Sequence, residues 1–185
     1  SYLTKDEIKM LIKTIEGSDK TNKVRDKAMI LSMAYAGMRK SEVLGLEIDN
    51  FDFNNDSVTF LGKNQKWRTV PLLPQYKQVI KEYIKVRNQV LDDAEQSEKL
   101  FVTKSGNSPS GRRINDIVNE YIKMAGVTKV TPHELRHSFA TIIYNKTQDI
   151  MLVKDLLGHE DVKTTQRYVH TNYNDKIDAL KQAFA

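Results

Sequence analysis

The segment from Thr131 to Thr141 contains residues that could do two different kinds of chemistry. Its letters, TPHELRHSFAT, include His133-Glu134-Leu135-Arg136-His137, which matches the H-E-x-x-H pattern of zinc hydrolases. The same letters place His133 and Arg136 three positions apart, so that on a helix both side chains share a face and can grip one phosphate group. The two interpretations need different companions elsewhere in the chain.

The zinc interpretation lacks those companions. Zinc hydrolases hold the metal with two histidines one helical turn apart and a third protein ligand. The extended motif would need a glycine and a histidine where Ala140 and Ile143 stand. Pro132 predicts that His133 opens the helix rather than lying within it, and the guanidinium of Arg136 on the same face would repel a divalent cation. A capped surface helix with an ordinary histidine is the other simple explanation.

Four further positions carry side chains suited to phosphate chemistry, and each also has an ordinary structural explanation. Arg39 follows an apolar stretch, where it could simply pair with Glu42. Lys63 lies in a turn between two expected strands, where a lysine is common. His159 follows a helix end, where the helix dipole favours a cation, and Tyr168 fits an amphipathic packing position. None of the four identifies a function alone.

Periodicity and capping signals predict that mostly α-helical elements carry these positions. Thr4 to Glu7 is typical of a capping box that starts a first helix, and Pro74 fits the start of a long helix that runs to about Leu91. From Ser110 the pattern is helical almost to the end. The other expected helices cover 23–36 and 41–46, and the expected C-terminal breaks lie at Gly126, Pro132, Lys146, Gly158 and 170–172.

A small antiparallel sheet is expected between the third helix and the long one. Three short runs of alternating apolar residues predict its strands, around Phe51–Phe53, Val58–Phe60 and Trp67–Val70. The pair Phe101-Val102 is interpreted as a further strand fragment. The predicted fold class is mostly α with a small three-stranded antiparallel β-sheet (α+β).

Taken together and in order, these residues resemble the catalytic domain of the tyrosine recombinases, also called the phage integrase family. That family's active site has an arginine, a hairpin lysine, an H-x-x-R pair, a later histidine or tryptophan, and a tyrosine. Arg39, Lys63, His133, Arg136, His159 and Tyr168 stand at those positions, and the six matches outweigh the two-histidine zinc pattern. The matching segments span nearly the whole chain: 35–44 (YAGMRKSEVL), 62–63 (GK), 68–72 (RTVPL), 131–141, 156–159 (LLGH) and 164–170 (TTQRYVH).

The resemblance assigns a role to each residue type. Tyr168 would attack a DNA phosphodiester and hold the strand as a 3′-phosphotyrosine, which keeps the phosphoester available without ATP. Arg39 and Arg136 would each donate hydrogen bonds to the non-bridging oxygens, and His159 would donate another. Such a clamp needs no metal and no cofactor.

The remaining roles concern protons and orientation. Lys63 would protonate the departing 5′ oxygen as a general acid. His133 is either a proton acceptor for the phenol or a further clamp donor, and the sequence leaves both open. Glu42 would orient Arg39 from behind.

Composition is compatible with this reaction. The chain has 185 residues, of which 39% are hydrophobic, enough for one domain with a core. A net charge of +5 favours a polyanionic partner, and the resemblance makes that partner double-stranded DNA. The absence of cysteine excludes disulfides and thiolate metal sites. Candidate contacts to the DNA backbone are Lys40, Lys66, Arg68, Arg112 and Arg113.

The resemblance also implies how the chain is organised. Residues 1–185 are expected to form one catalytic domain, and the separate N-terminal DNA-clamping domain of the family is not in this sequence. We therefore expect an excised catalytic domain or fragment that binds DNA weakly alone. A cytoplasmic protein of bacterial or phage origin is expected, because no segment resembles a signal peptide or a membrane span.

The tail 173–185 carries Ile177, Leu180 and Phe184 at helical spacing. It either packs on its own domain or, as the family implies, docks onto a neighbouring protomer in a tetramer on DNA. Three rivals to a recombinase stay open from the sequence. They are a topoisomerase with the same chemistry, a basic DNA-binding module without catalysis, and the zinc hydrolase.

Overall fold

The computed structural model describes residues 2–91, 97–127, 130–158 and 173–185. Short 3-10 helices cover Ile48–Asn50 and Lys63–Gln65. The α-helices of these ranges are α1 (Lys5–Glu16), α2 (Lys23–Ala34), α3 (Lys40–Gly45), α4 (Pro74–Val90), α5 (Gly111–Ala125), α6 (Pro132–Thr147), α7 (Ile150–Leu157) and α8 (Tyr173–Phe184).

A three-stranded antiparallel sheet lies between α3 and α4, as the sequence predicts. Its strands β1 (Phe51–Asp52), β2 (Ser57–Leu61) and β3 (Trp67–Pro71) pair in chain order. The expected strand fragment at Phe101-Val102 is wrong, because these two residues belong to no strand and are simply buried in the core. The fold class is therefore mostly α with a small sheet.

Two capping boxes set the starts of α1 and α6. In α1 the hydroxyl of Thr4 accepts from the backbone N–H of Glu7 at 3.2 Å, and the Glu7 carboxylate accepts from the N–H of Thr4 at 2.8 Å. In α6 the Glu134 carboxylate accepts from the N–H of Thr131 at 2.6 Å, and Pro132 occupies the first turn. Both helix starts agree with the sequence, and the second places His133 and Arg136 in the opening turns of α6.

Helix α2 forms the centre of the core. Residues 26–34 of this helix are all buried, and α1, α4 and α6 pack around it. Two of its buried polar groups are paired inside: Asp26 accepts from the hydroxyl of Tyr121 at 2.8 Å, and Ser32 lies 2.7 Å from the hydroxyl of Tyr76. A helix enclosed on all sides holds its C-terminal end rigidly, and that end leads directly to Arg39.

The C-terminal helix α8 packs on its own domain in the single chain. Leu180 and Ala183 are each 1% exposed. The ring of Phe184 stacks on Phe139 at 5.9 Å and meets the edge of Tyr35 at 5.3 Å. Of the two expectations for the tail, this is the packing one; docking onto a neighbouring protomer stays a prediction. No helix in the described part is long and apolar enough to cross a membrane.

Replacing Phe184 by alanine removes the aromatic contact between α8 and the core. We expect the variant to lose about 3 kcal/mol in the free energy of unfolding, because a buried ring is exchanged for a cavity. Urea denaturation measures the loss. Gln182→Ala, on the exposed face of the same helix, is the control and should change little; equal stability of the two variants would show that α8 does not dock as described.

Candidate active site

Gly37 turns the chain from α2 towards Arg39 and pins that turn against α6. Its φ is +65°, and a Cβ there would lie 2.6 Å from Cδ1 of Phe139. Both the backbone conformation and the close approach therefore require glycine. Arg39 follows in extended conformation as the N-cap of α3, so its position is fixed relative to α6.

Arg136 joins the ends of two helices. Its guanidinium is buried and donates from Nη1 to the carbonyl of Gly37 at 2.7 Å and from Nη2 to the carbonyl of Leu157 at 3.1 Å. The Gly37 carbonyl lies just after α2, and the Leu157 carbonyl lies at the C-terminal end of α7. The same side chain therefore holds the Arg39 turn and the end of α7 in place.

Arg39, His133 and Arg136 lie around one cleft of about 570 Å³. The two arginines come from positions almost 100 residues apart in the sequence, and the expected convergence of their guanidiniums is what the fold produces. His133 is exposed at its rim. The other residues that line the cleft are Lys40, Ser41, Asn115, Thr131 and Pro132.

Glu42 lies behind this cleft with its carboxylate surrounded by three guanidiniums. Oε1 accepts from the backbone N–H of Arg39 at 2.7 Å and lies 3.6 Å from Nη1 of Arg136. Oε2 lies 3.5 Å from Nη1 of Arg39. Nη1 and Nη2 of Arg68 bind both oxygens, at 2.9 and 3.2 Å. The expected orienting role of Glu42 fits this geometry, which extends beyond Arg39 to all three arginines.

The cluster carries more positive charge than its carboxylate neutralises. The pKa of Arg136 is lowered to about 10, mainly by burial and further by the positive charges of Arg39 and Arg68, while Glu42 opposes the change. Arg136 is still protonated at pH 7, in surroundings that disfavour its charge. Nη1 of Arg39 is buried without a hydrogen-bond acceptor among the described residues. An anion in the cleft would compensate both.

Arg68 was expected to contact the DNA backbone, and its position does not fit that role. The residue is 9% exposed, its guanidinium lies 4.6 Å from the centre of the Phe60 ring, and both Nη atoms bind Glu42. The strand pattern held the missed signal: Arg68 alternates with exposed Trp67 and Thr69 and shares the inward face of β3 with Val70.

The other candidate DNA contacts lie at the surface. Lys40 lines the cleft, and its Nζ donates to the side chain of Asn115 at 3.3 Å. No motif in the sequence marks Asn115. Lys66 is exposed after the β2–β3 turn. Arg112 and Arg113 are exposed in the first turn of α5, where Nη1 of Arg113 lies 3.6 Å from a Glu120 carboxylate oxygen.

Of the three remaining expected catalytic residues, only Lys63 lies in the described part, and it does not line the cleft. Lys63 is exposed in the 3-10 turn between β2 and β3. His159 and Tyr168, like the expected break at 170–172, lie outside the described residues. Gly158, which precedes His159, has a φ of +69°, and a Cβ there would lie 2.7 Å from Nη1 of Arg68. The chain therefore enters the segment that carries His159 and Tyr168 in contact with the arginine cluster.

The histidine pair of the zinc pattern has other neighbours. The Glu134 carboxylate, which would be the base of a zinc hydrolase, accepts from the backbone of Thr131 instead. His137 is exposed, with its ring 6.3 Å from that of Tyr2. Across the described ranges, no three His, Asp or Glu side chains come together as metal ligands.

The sequence model of the phage integrase family matches residues 1–175. The chain belongs to the phage integrase family. It is 35% identical over 185 residues to the tyrosine recombinase XerC of Lactobacillus leichmannii, covering 99% of this chain and 62% of that protein. It is 34% identical over 170 residues to XerD of Neisseria meningitidis serogroup B, covering 92% and 58%. The chain thus spans about 60% of the length of these curated relatives.

Solved structures agree with this membership. The XerA recombinase has a TM-score of 0.77 and 29% identity over 98% of this chain and 64% of its own. XerH, a site-specific recombinase solved in a pre-cleavage complex with its difH substrate, has a TM-score of 0.77 and 28% identity over 92% and 50%. The expected catalytic-domain fold of the tyrosine recombinases is confirmed.

Replacing Gly37 by alanine tests how the arginine turn is held. The added methyl group meets the Phe139 ring at a φ that alanine rarely adopts, so we expect a loss of about 2 to 3 kcal/mol in unfolding free energy. Chemical denaturation measures it. Gly45→Ala is the matched control, because nothing lies within 4 Å of a Cβ there; a Gly37 variant as stable as this control would contradict the described contact.

Proposed function

We propose that this chain is the catalytic part of a site-specific DNA recombinase, or integrase, which cleaves and rejoins strands through a 3′-phosphotyrosine. The observation that carries the proposal is the cleft where Arg39 and Arg136 meet beside His133, held from behind by Glu42. Family membership supports it, and so do the recombinases XerC and XerD among the relatives.

The reaction is a transesterification in which bonds are exchanged one for one. The phenol oxygen of Tyr168 attacks phosphorus, and the bond from phosphorus to the 5′ oxygen breaks. The phenol proton goes to a base, for which His133 at the rim is the candidate. The leaving 5′ oxygen takes a proton from Lys63. Attack by a 5′-hydroxyl of another strand reverses these steps and releases the tyrosine, so no ATP is consumed.

The arginine pair stabilises the charge that develops on the phosphate. The non-bridging oxygens become more negative as phosphorus gains a fifth oxygen, and donors fixed beforehand bind them without rearranging. Arg136 is buried and already fixed by two backbone carbonyls. Arg39 is 29% exposed in its side chain, so it can reach an anion from the open side.

The proposed partner is double-stranded DNA. Lys40 and Asn115 line the cleft, and Arg112 and Arg113 stand at the start of α5, where a helix N-terminus favours phosphates. Lys66 is proposed as a further backbone contact beside the Lys63 turn.

Assembly on DNA belongs to the same proposal. A tetramer linked through the tail would require α8 to leave its packing site on α6 and to occupy the equivalent site on a neighbouring copy. The apolar face formed by Leu180, Ala183 and Phe184 supports this, since it can serve either site.

A covalent-trapping experiment tests the reaction. Incubation with nicked duplexes of randomised sequence should yield a protein–DNA adduct that survives denaturing electrophoresis, and sequencing of the trapped DNA identifies the site. Tyr168→Phe should abolish the adduct, because phenylalanine has no nucleophilic oxygen. Tyr144→Phe, at an exposed tyrosine of α6, is the control and should keep it. DNA binding without any adduct in the unmodified chain would favour the non-catalytic DNA-binding module.

A sulfur-substituted substrate tests Lys63 as the general acid. Lys63→Ala should slow cleavage of ordinary DNA by roughly 10²- to 10⁴-fold, the usual contribution of proton transfer. A duplex with sulfur in place of the bridging 5′ oxygen should restore the rate, because a thiolate leaves without a proton. Lys66→Ala serves as the control, with equal effects on both substrates. A Lys63 defect that sulfur does not relieve would assign Lys63 to binding.

A further inference from the structure

Arg68 is a buried arginine that neither the clamp nor the proton transfers use. It projects from β3 to the inner side of the sheet, beneath the Glu42 carboxylate. The two planar groups meet edge to edge through paired bonds, a geometry that fixes the plane of the carboxylate as well as its position. A lysine would supply only one of these bonds and would hold that plane less firmly.

The plane of this carboxylate decides which oxygen faces which clamp arginine. Oε1 serves the backbone of Arg39 and lies near Nη1 of Arg136, whereas Oε2 lies near Nη1 of Arg39. Rotation of the carboxylate would lengthen these contacts together. The orientation that Arg68 imposes is therefore passed on to both guanidiniums.

Electrostatic stability does not explain an arginine at this position. Burial lowers the pKa of Arg68, and although Glu42 attracts this guanidinium, the positive charges of Arg39 and Arg136 repel it. Buried ion pairs replaced by apolar residues of similar volume often leave a protein equally stable or more stable. We therefore attribute to this guanidinium the orientation of the Glu42 carboxylate.

Two glycines, which have no side chain, provide the space that the Arg68–Glu42 ion pair occupies. A Cβ on Gly62 would lie 3.1 Å from Oε2 of Glu42, and one on Gly158 would lie 2.7 Å from Cδ and Nη1 of Arg68. Gly62 precedes Lys63, and Gly158 precedes His159. A Cβ on Gly62 would also lie 3.4 Å from Nη1 of Arg68, so Arg68 lies beside both glycines that precede an expected catalytic residue.

We propose that Arg68 is a positioning residue for the strand-cleavage reaction: its paired bond sets the orientation of Glu42 and, through it, of Arg39 and Arg136. The inference rests on the proposed function for its catalytic consequence. Its structural half, the ordering of the two clamp arginines, is independent of that function.

The kinetic test compares Arg68→Lys and Arg68→Met with Arg87→Lys. Arg87 of α4 is a matched buried arginine, 5% exposed, whose guanidinium donates to the backbone carbonyls of Lys99 and Leu100. On a duplex recovered by covalent trapping, both Arg68 variants should lower the cleavage kcat about 10- to 100-fold, as lost positioning groups do. KM should stay within about threefold, because the phosphate contacts themselves remain. Rates are taken at a temperature where each variant is folded.

A second readout does not require cleavage. In the chain without DNA, ¹⁵N relaxation of the arginine Nε–H groups, assigned with Arg39→Lys and Arg136→Lys, reports how firmly each side chain is held. Both signals should show lower order parameters in Arg68→Lys and unchanged ones in Arg87→Lys.

The outcomes distinguish the positioning role of Arg68 from the proposed strand-cleavage function. An unchanged kcat, or unchanged order of Arg39 and Arg136, overturns the positioning role. A rise in KM matching that of Lys40→Ala would also overturn it and assign Arg68 to the DNA backbone. If the unmodified chain forms no adduct while the order is lost in Arg68→Lys, the proposed function fails and the ordering role stands.

Discussion

The carboxylate of Glu42 is the contact on which the site depends. It is 3% exposed, it faces the guanidiniums of Arg39, Arg68 and Arg136, and these come from α3, β3 and α6. Three cations around one anion leave an excess of positive charge among largely buried groups, which costs free energy. The fold offsets this cost through carbonyl acceptors and close packing, and the proposed phosphate ligand would offset it further.

Local signals in the sequence predict the elements of this protein well. The capping boxes at Thr4 and Thr131, Pro74 at the start of α4 and the alternation in β2 and β3 all act within a few residues, so their physics is visible in the letters. The prediction of a strand at Phe101-Val102 was wrong because two neighbouring apolar residues indicate burial but not a particular secondary structure. Its burial in the core needs no partner strand.

Three of the six expected catalytic residues meet in the described part of the structure, but their connections were not visible in the sequence. Arg39, His133 and Arg136 were found from the family pattern, and the fold brings them to one cleft. The link from Glu42 to Arg68 joins residues 26 positions apart in different elements, so only tertiary structure reveals it. Strand parity with Val70 shows that Arg68 points inward, although the residue type favours the surface. The residue lining the cleft from α5, Asn115, had no comparable signal.

The ring of Phe139 contacts two parts of the chain that are far apart in sequence. One side receives the Gly37 turn that leads to Arg39, and the other receives Phe184 from the last helix. Loss of Phe184 would remove one of the two contacts that hold the Phe139 ring beside Gly37. The packing of the last helix is thus linked, through the Phe139 ring, to the turn that leads to Arg39.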